Sequence, residues 1–140
     1  MKQFFYLDHT HSALFITVLV LRVAVAGFFL LLSYKNFSGD PAMIEDFERW
    51  QFPLWFKMLT GVCQFTAACM LLYTPVAFYG GALICVMMVG ATYAHLRFDP
   101  IHTAVSPIIF FVLGLTISFV LRPQIINTLM TSTLNLVTKS

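Results

Sequence analysis

Four long apolar segments dominate this chain and restrict what it can fold into. Each has about 20 mostly apolar residues, the length that a helix needs to cross the hydrocarbon core of a bilayer. Only helices and closed barrels satisfy their backbone polar groups in lipid, and these segments lack the alternation of a barrel strand. We therefore predict four membrane-spanning helices, at 13–32, 54–73, 75–96 and 103–121.

The composition agrees with a membrane protein and argues against other classes. Of the 140 residues, 59% are hydrophobic and 10% are charged, and the mean hydropathy is +0.85. Soluble domains carry charge on about a quarter of their residues, and disordered chains need low hydrophobicity with high charge. The net charge of +2 is small and its basic residues are scattered, so nucleic acid is not expected as a partner.

The connections between the segments predict their arrangement. The links after the second and third segments are short, so successive helices form an up-down-up-down bundle. The long first link contains Asp40 and Pro41, an N-cap followed by proline at the first helical position. Apolar side chains then recur at helical spacing, which predicts a short amphipathic helix at 41–50, lying at the interface or capping the bundle. Thr74 and Pro75 repeat the capping pattern before the third membrane helix.

The fold class expected is therefore all-α, a polytopic membrane protein with a four-transmembrane-helix bundle and an amphipathic helix between helices 1 and 2. We expect one membrane domain over 1–140, with a C-terminal tail at 122–140. An even number of helices places both termini on the same side. Basic residues flanking the helices are nearly balanced between the two sides, so the positive-inside rule does not fix the orientation.

Arg22 is the sharpest feature within the apolar segments. An Arg at the centre of a membrane helix costs about 2.5–3.5 kcal/mol, and each Leu, Ile, Val or Phe returns about 0.3–0.6 kcal/mol, so the helix still inserts. The guanidinium must face protein or water and find acceptors, either at a functional site or as a structural group that holds neighbouring helices. Gln64, on a small and polar face of the second membrane helix, is its expected partner.

His95 lies near the membrane edge on the side of the long link. Because histidine exchanges protons near neutral pH, its hypothetical role is proton relay or quinone protonation, and the alternative is a structural or interfacial histidine. The candidate ligand-binding residues are Arg22, Gln64 and His95. A second hypothetical set forms an interfacial polar cluster: Lys35, Lys57, Arg97, Asp99 and His102.

No cofactor or metal site is identifiable from the motifs. His95 and His102 lack a spacing typical of a metal site, and no third ligand is evident. The chain has no glycine-rich nucleotide motif, no HExxH and no nucleophile–base motif, and its three cysteines form no CxxC. No catalytic residue is assigned, and the question of catalysis stays open. A quinone or a lipid is the candidate ligand.

Several pieces of sequence, taken in order, resemble the DoxX-like family of small four-helix membrane proteins. They are Arg22, Gly27 and Lys35 in the first helix, WQFPLWF at 50–56, GVCQ at 61–64, and GATYAHLR at 90–97. The family usually has Glu where this chain has Gln64. If that Glu carries protons or pairs with the arginine, this chain does neither at position 64, and Arg22 needs a neutral acceptor.

The resemblance implies a bacterial plasma-membrane protein with both termini in the cytoplasm. Members of the family are linked to sulfur and thiol redox chemistry, as subunits of a thiosulfate:quinone oxidoreductase and of a mycobacterial oxidative-stress complex. Distant animal relatives act as membrane chaperones for receptor assembly, and most members have no established activity.

Three functions are compatible with the sequence. The first is a non-catalytic accessory, assembly or scaffold protein that packs against a membrane-protein partner or a second copy. The second is a quinone- or thiol/sulfur-linked redox accessory subunit with a polar intramembrane pocket around Arg22, Gln64 and His95. The third is a small transporter, which four short helices would form only as an oligomer.

Overall fold

The computed structural model describes residues 2–122 and positions 127, 131, 134, 135 and 138, with side chains from Ala13 onward. The predicted tail at 122–140 therefore lies largely outside the described residues. Within 2–122 the chain forms five α-helices and no strand: α1 (Lys2–Ser38), α2 (Pro41–Arg49), α3 (Leu54–Leu72), α4 (Ala77–Phe98) and α5 (Val105–Val120). Short 3-10 turns precede α4 and α5, at Thr74–Val76 and Ile101–Ala104.

These helices confirm the predicted all-α membrane fold. Among the described residues, four spans are long and apolar enough to cross a membrane: Ala13–Ser38, Leu54–Leu72, Thr74–Phe98 and Ile101–Val120. The helices pack in the row α1–α3–α4–α5, each antiparallel to the next. The two outer helices of the row, α1 and α5, meet through aromatic side chains, where the rings of Phe28 and Phe110 stack with centroids 4.3 Å apart.

The first helix continues to Ser38, beyond the predicted end at Leu32. The prediction ended it where polar residues begin, but these residues find partners on α3. The Ser33 hydroxyl donates to the Gly61 carbonyl at 2.9 Å, and Asn36 Nδ2 donates to Gln64 Oε1 at 2.9 Å. Because both side chains donate hydrogen bonds to α3, these polar residues are accommodated in the bundle and do not stop the helix.

Two glycines on α4 allow this helix to lie close to α3 and to α5. A Cβ at Gly80 would lie 2.9 Å from the Leu71 nitrogen on α3, and a Cβ at Gly81 would lie 2.8 Å from the Gly114 carbonyl oxygen on α5. Both distances are too short for a larger residue, so α3, α4 and α5 pack backbone against backbone. Gly90 differs, because nothing lies within 4 Å of its Cβ position.

The predicted amphipathic helix is present as α2. Asp40 Oδ1 accepts a hydrogen bond from the Ala42 nitrogen at 3.0 Å, and Pro41 is the first helical residue. Phe47 is the buried residue of its inner face. A residue with left-handed backbone lies on each side of the helix, Gly39 at φ 74° and Gln51 at φ 60°.

The predicted cap of α4 by Thr74 is wrong. Thr74 begins the 3-10 turn, and the N-cap of α4 is Val76, which makes no side-chain capping hydrogen bond. The Thr74 hydroxyl oxygen instead accepts from Arg22 on α1. A long-range charged donor thus replaces the local capping contact.

Candidate functional site

Arg22 is buried, with 4% of its surface exposed, and its donors meet the turn between α3 and α4. Nε and Nη2 donate to the Leu71 carbonyl oxygen at 2.9 and 2.5 Å, and both terminal nitrogens lie 3.3 Å from Thr74 Oγ1. The Leu71 carbonyl is one of the last four of α3, which lack an intrahelical partner. A cation is also favourable at this negative end of the helix dipole.

Lys57 makes the reciprocal contact at the other end of the same helix pair. Its side chain is buried, and Nζ donates to the Asn36 carbonyl oxygen at 2.7 Å. That carbonyl lies in the last turn of α1, so it too lacks an intrahelical partner. Each helix of the α1–α3 pair therefore supplies a buried cation to the C-terminus of the other.

Gln64 belongs to a hydrogen-bonded group with Asn36, not with Arg22. Gln64 Oε1 accepts from Asn36 Nδ2, which also donates to the Leu32 carbonyl at 3.1 Å. Among the described residues, Asn36 Oδ1 has no hydrogen-bond partner although it is buried. Because the Gln64 oxygen is already paired, the amide NH₂ is the part of this side chain left for another partner.

Asp99 joins the end of α2 to the end of α4. Its side chain is 4% exposed. Oδ1 accepts from Arg49 Nε at 2.6 Å, and Oδ2 accepts from Trp50 Nε1 and His95 Nδ1, each at 2.8 Å. Arg49 also pairs with Asp46 on α2. This group, the Asp99 cluster, comprises Asp99, Arg49, Trp50 and His95.

The cluster keeps Asp99 ionised and fixes the ring of His95. Burial raises the pKa of the Asp99 carboxyl, but the hydrogen bonds from Trp50, Arg49 and His95 outweigh it and hold the pKa below its usual range. An ionised carboxylate only accepts, so His95 Nδ1 carries the proton and Nε2 is the remaining ring nitrogen. The Trp50 ring packs edge-on against the imidazole, with centroids 4.9 Å apart.

A cavity of about 680 Å³ lies between the five helices, beneath α2. Its size is that of a small-molecule site. Most of its lining is apolar, and aromatic side chains from α1 to α5 contribute much of it. The aromatic residues that line it are Phe28, Phe29, Phe47, Trp50, Phe52, Phe56, Tyr93 and Phe110.

The polar part of the lining is small. It consists of Asp46, Thr60, Gln64, His95 and Ser106, with the thiol of Cys63 beside them, and it includes no Lys or Arg of the described chain. Gly90 also lines the cavity, where its missing side chain leaves space. The arrangement suits an uncharged ligand with one or two polar atoms.

The structure brings two of the three candidate ligand-binding residues together. Gln64 and His95 line the same cavity, whereas Arg22 is not part of its wall. The predicted pairing of Arg22 with Gln64 is therefore wrong in this structure. Arg22 reaches the C-terminal end of α3, and the neutral acceptors it requires are the Leu71 carbonyl and the Thr74 hydroxyl.

The predicted interfacial cluster is not formed as one group. Lys35 Nζ lies 3.8 Å from Asp40 Oδ2, Lys57 binds the end of α1, and Asp99 binds the three donors above. Arg97 and His102 are exposed. These residues all lie near helix ends, but each helix end contacts a different part of the protein, so the side chains do not meet.

Sequence reasoning missed Arg49, Trp50 and Asn36. The spacing of His95 and Asp99, four residues apart on a helix, is a usable signal for their contact. The partners from α2 carry no such signal, because they reach Asp99 only when α2 folds back against the end of α4.

Four membrane-length helices around a largely apolar cavity define an integral membrane protein with a four-helix bundle. The sequence model of the DoxX-like family matches residues 20–117, which include Arg22, Gln64, His95 and Asp99, and the chain belongs to that family. It is 30% identical over 82 residues to the uncharacterized protein YdgD of Bacillus subtilis (strain 168), covering 56% of this chain and 72% of that protein. No solved structure matches the chain.

Proposed function

We propose that this protein is a non-catalytic accessory protein of a bacterial plasma-membrane complex, and that it holds an uncharged, membrane-soluble molecule in its cavity. The observation that carries the proposal is the 680 Å³ cavity, which the membrane-spanning helices and α2 line and which is partly open. In this proposal both termini lie in the cytoplasm. A partner membrane protein would use or deliver the bound molecule.

The lining selects the class of ligand. Anionic lipid headgroups and fatty-acid carboxylates need cationic partners, because an unpaired charge is costly to bury, and no described Lys or Arg lines the cavity. Aromatic faces pack well against flat, unsaturated rings. The Gln64 amide supplies a donor for one carbonyl or ether oxygen of such a molecule.

A quinone-linked redox role is the second candidate, and the pairing of Gln64 with His95 in one cavity favours it. The Gln64 amide can donate to a quinone oxygen, and His95 Nε2 can accept a proton from a hydroxyl. Asp99 would stabilise the imidazolium through Nδ1. In this role the protein binds the quinone and handles its proton, while a partner protein exchanges the electrons.

Native mass spectrometry of the protein extracted in mild detergent tests the proposal. We expect a bound molecule that is uncharged, lipophilic and rich in unsaturated carbon, and its mass distinguishes a quinone from other lipids. A protein that carries only anionic phospholipid, or no small molecule, would contradict the ligand assignment.

The accessory role has its own test. Crosslinking in native membranes followed by purification should yield one stoichiometric membrane-protein partner. If the protein is recovered from those membranes only as a monomer, the accessory role fails even if the cavity is occupied. A reporter fused to each terminus checks the orientation, and a reporter active outside the cytoplasm would contradict it.

A further inference from the structure

The helix α2 forms one wall of the cavity although it is not one of the membrane spans. Met43, Asp46, Phe47 and Trp50 from this short segment line the cavity, opposite residues of α3 and α4. Phe47 is its buried anchor and packs among the rings of Trp50, Phe52 and Phe56. If α2 moved away, the cavity would lose that wall.

The chain can change direction at both ends of α2. Gly39 has a φ of 74° and nothing within 4 Å of its Cβ position, and Gln51 has a φ of 60°. Left-handed backbone is common directly after the end of a helix, and Gln51 closes α2 in this way: its nitrogen donates to the Glu48 carbonyl oxygen at 3.0 Å, and the Phe52 nitrogen donates to the Phe47 carbonyl oxygen at 2.9 Å. The two residues therefore mark the points at which the nine-residue helix joins the chain on each side, and a movement of α2 would change the backbone there.

The polar connection between α2 and the end of α4 is the Asp99 carboxylate. It accepts from Arg49 and Trp50 at the C-terminal end of α2 and from His95 on α4. Hydrogen bonds to an ionised group are about twice as strong as neutral ones. The Arg49 side chain is half exposed, so its ion pair is weaker than that of a buried cation.

We propose that α2 is a movable lid on the cavity, and that Asp99 is the positioning residue that holds the lid in place and orients His95 in the cavity wall. The proposal rests on the proposed function for the identity of the occupant, but the movement of the lid is measurable without any ligand. A ligand would enter or leave when the bonds from Arg49 and Trp50 to Asp99 open.

The thiol of Cys63 reports the state of the lid. It is half-buried and lines the cavity, whereas Cys85 is also half-buried but does not line it and contacts the Phe111 carbonyl oxygen on α5 at 3.6 Å. The experiment uses two single-cysteine variants, one that retains Cys63 and one that retains Cys85. The rate of modification by N-ethylmaleimide in liposomes is measured in each.

In the protein that retains Cys63, Asp99→Asn should raise the modification rate by about tenfold, the change that corresponds to about 1.4 kcal/mol. Asp99→Glu should restore part of the wild-type protection, because a carboxylate is again present. Glu45→Gln removes the same charge from the exposed side of α2 and should leave the rate unchanged. In the protein that retains Cys85, none of these variants should change the rate.

Three results would overturn the lid. They are an unchanged Cys63 rate in Asp99→Asn, an equal increase in Glu45→Gln, and an equal increase at Cys85, which would show general loosening of the bundle. Ligand occupancy is a separate readout. If the cavity holds no ligand but Asp99 still protects Cys63, the proposed function is refuted and the lid stands. If the cavity holds a ligand but Asp99 does not protect Cys63, only the lid is refuted.

Discussion

Arg22 and Lys57 perform the same task at opposite ends of the α1–α3 pair. Arg22 on α1 binds the C-terminal carbonyl of Leu71 on α3, and Lys57 on α3 binds the C-terminal carbonyl of Asn36 on α1. Both cations are buried and both use neutral acceptors. The antiparallel pair is thus held at both ends by contacts between a charged side chain and the end of a helix.

Replacing Arg22 tests the structural role assigned to it. Arg22→Leu leaves the Leu71 carbonyl without its donor and should destabilise the bundle by about 1–3 kcal/mol, the cost of an unsatisfied buried polar group. Arg22→Lys keeps a cation and should lose less. Unfolding by denaturant in detergent micelles measures both variants.

The same variants separate this role from ligand binding. Because Arg22 is not part of the cavity wall, Arg22→Lys should keep the bound molecule. Loss of the ligand with unchanged stability would return Arg22 to the ligand site.

Lys57 and Lys35 form a matched pair of lysines. Lys57→Met should destabilise the protein, because the last turn of α1 loses its donor, whereas Lys35→Met removes only a long surface contact with Asp40. Exposed ion pairs contribute about 0–1 kcal/mol. Thermal melting of the two variants is the measurement, and an equal effect in both would contradict the reciprocal capping.

Gln64 has two functions that one variant removes together. Gln64→Met takes away the acceptor for Asn36 Nδ2 and the NH₂ group that we assign to the ligand. We expect a stability loss of about 1 kcal/mol, the typical worth of one hydrogen bond, together with lower ligand occupancy. Ser33→Ala is the control, because it removes the neighbouring bond to Gly61 without touching the cavity wall and should lower stability only.

Acid should open the lid through Asp99. The pKa of this carboxyl is depressed in the folded protein, so its stabilising contribution is complete above the unfolded value of about 3.9 and is lost as the pH falls through the lower folded value. The other members of the cluster donate to Asp99: His95 from Nδ1, Trp50 from its neutral indole, and Arg49, whose pKa is raised by the hydrogen bonds to Asp99 and Asp46. Asp46 is the carboxyl next to this cluster, and it pairs with Arg49.

The measurement is the fraction of Cys63 modified after pulses of a thiol reagent, corrected for thiolate content at each pH. The corrected rate should stay level between about pH 5 and 8 and rise below about pH 4. A corrected rate that rises near neutral pH would show that a group other than Asp99 holds the lid.

The sequence predicts the fold well because bilayer-length apolar segments and local capping residues determine it. The Asp40–Pro41 pair places the start of α2 correctly. Thr74 and the end of α1 are mispredicted for a shared reason. The hydroxyl of Thr74 accepts from another helix, and the side chains of Ser33 and Asn36 donate to another helix, which no local pattern reveals.

Only part of the candidate site can be predicted from the sequence. Gln64 and His95 stand out as polar residues in apolar helices, and the structure places both in the cavity wall. The roles of Arg49 and Trp50 depend on the return of α2 against α4, which is a tertiary contact. Arg22 also stands out, but its partner depends on which turn of α1 lies beside the α3–α4 connection, and this is a tertiary contact.

The most direct test of the central claim fills the cavity from a position that has room for a side chain. Gly90 and Gly27 are both exposed helix glycines with nothing within 4 Å of the Cβ position, but only Gly90 lines the cavity. Native mass spectrometry of the two leucine variants measures the ligand each retains. We predict that Gly90→Leu loses the bound molecule while Gly27→Leu keeps it, and equal occupancy in both folded variants would contradict the account.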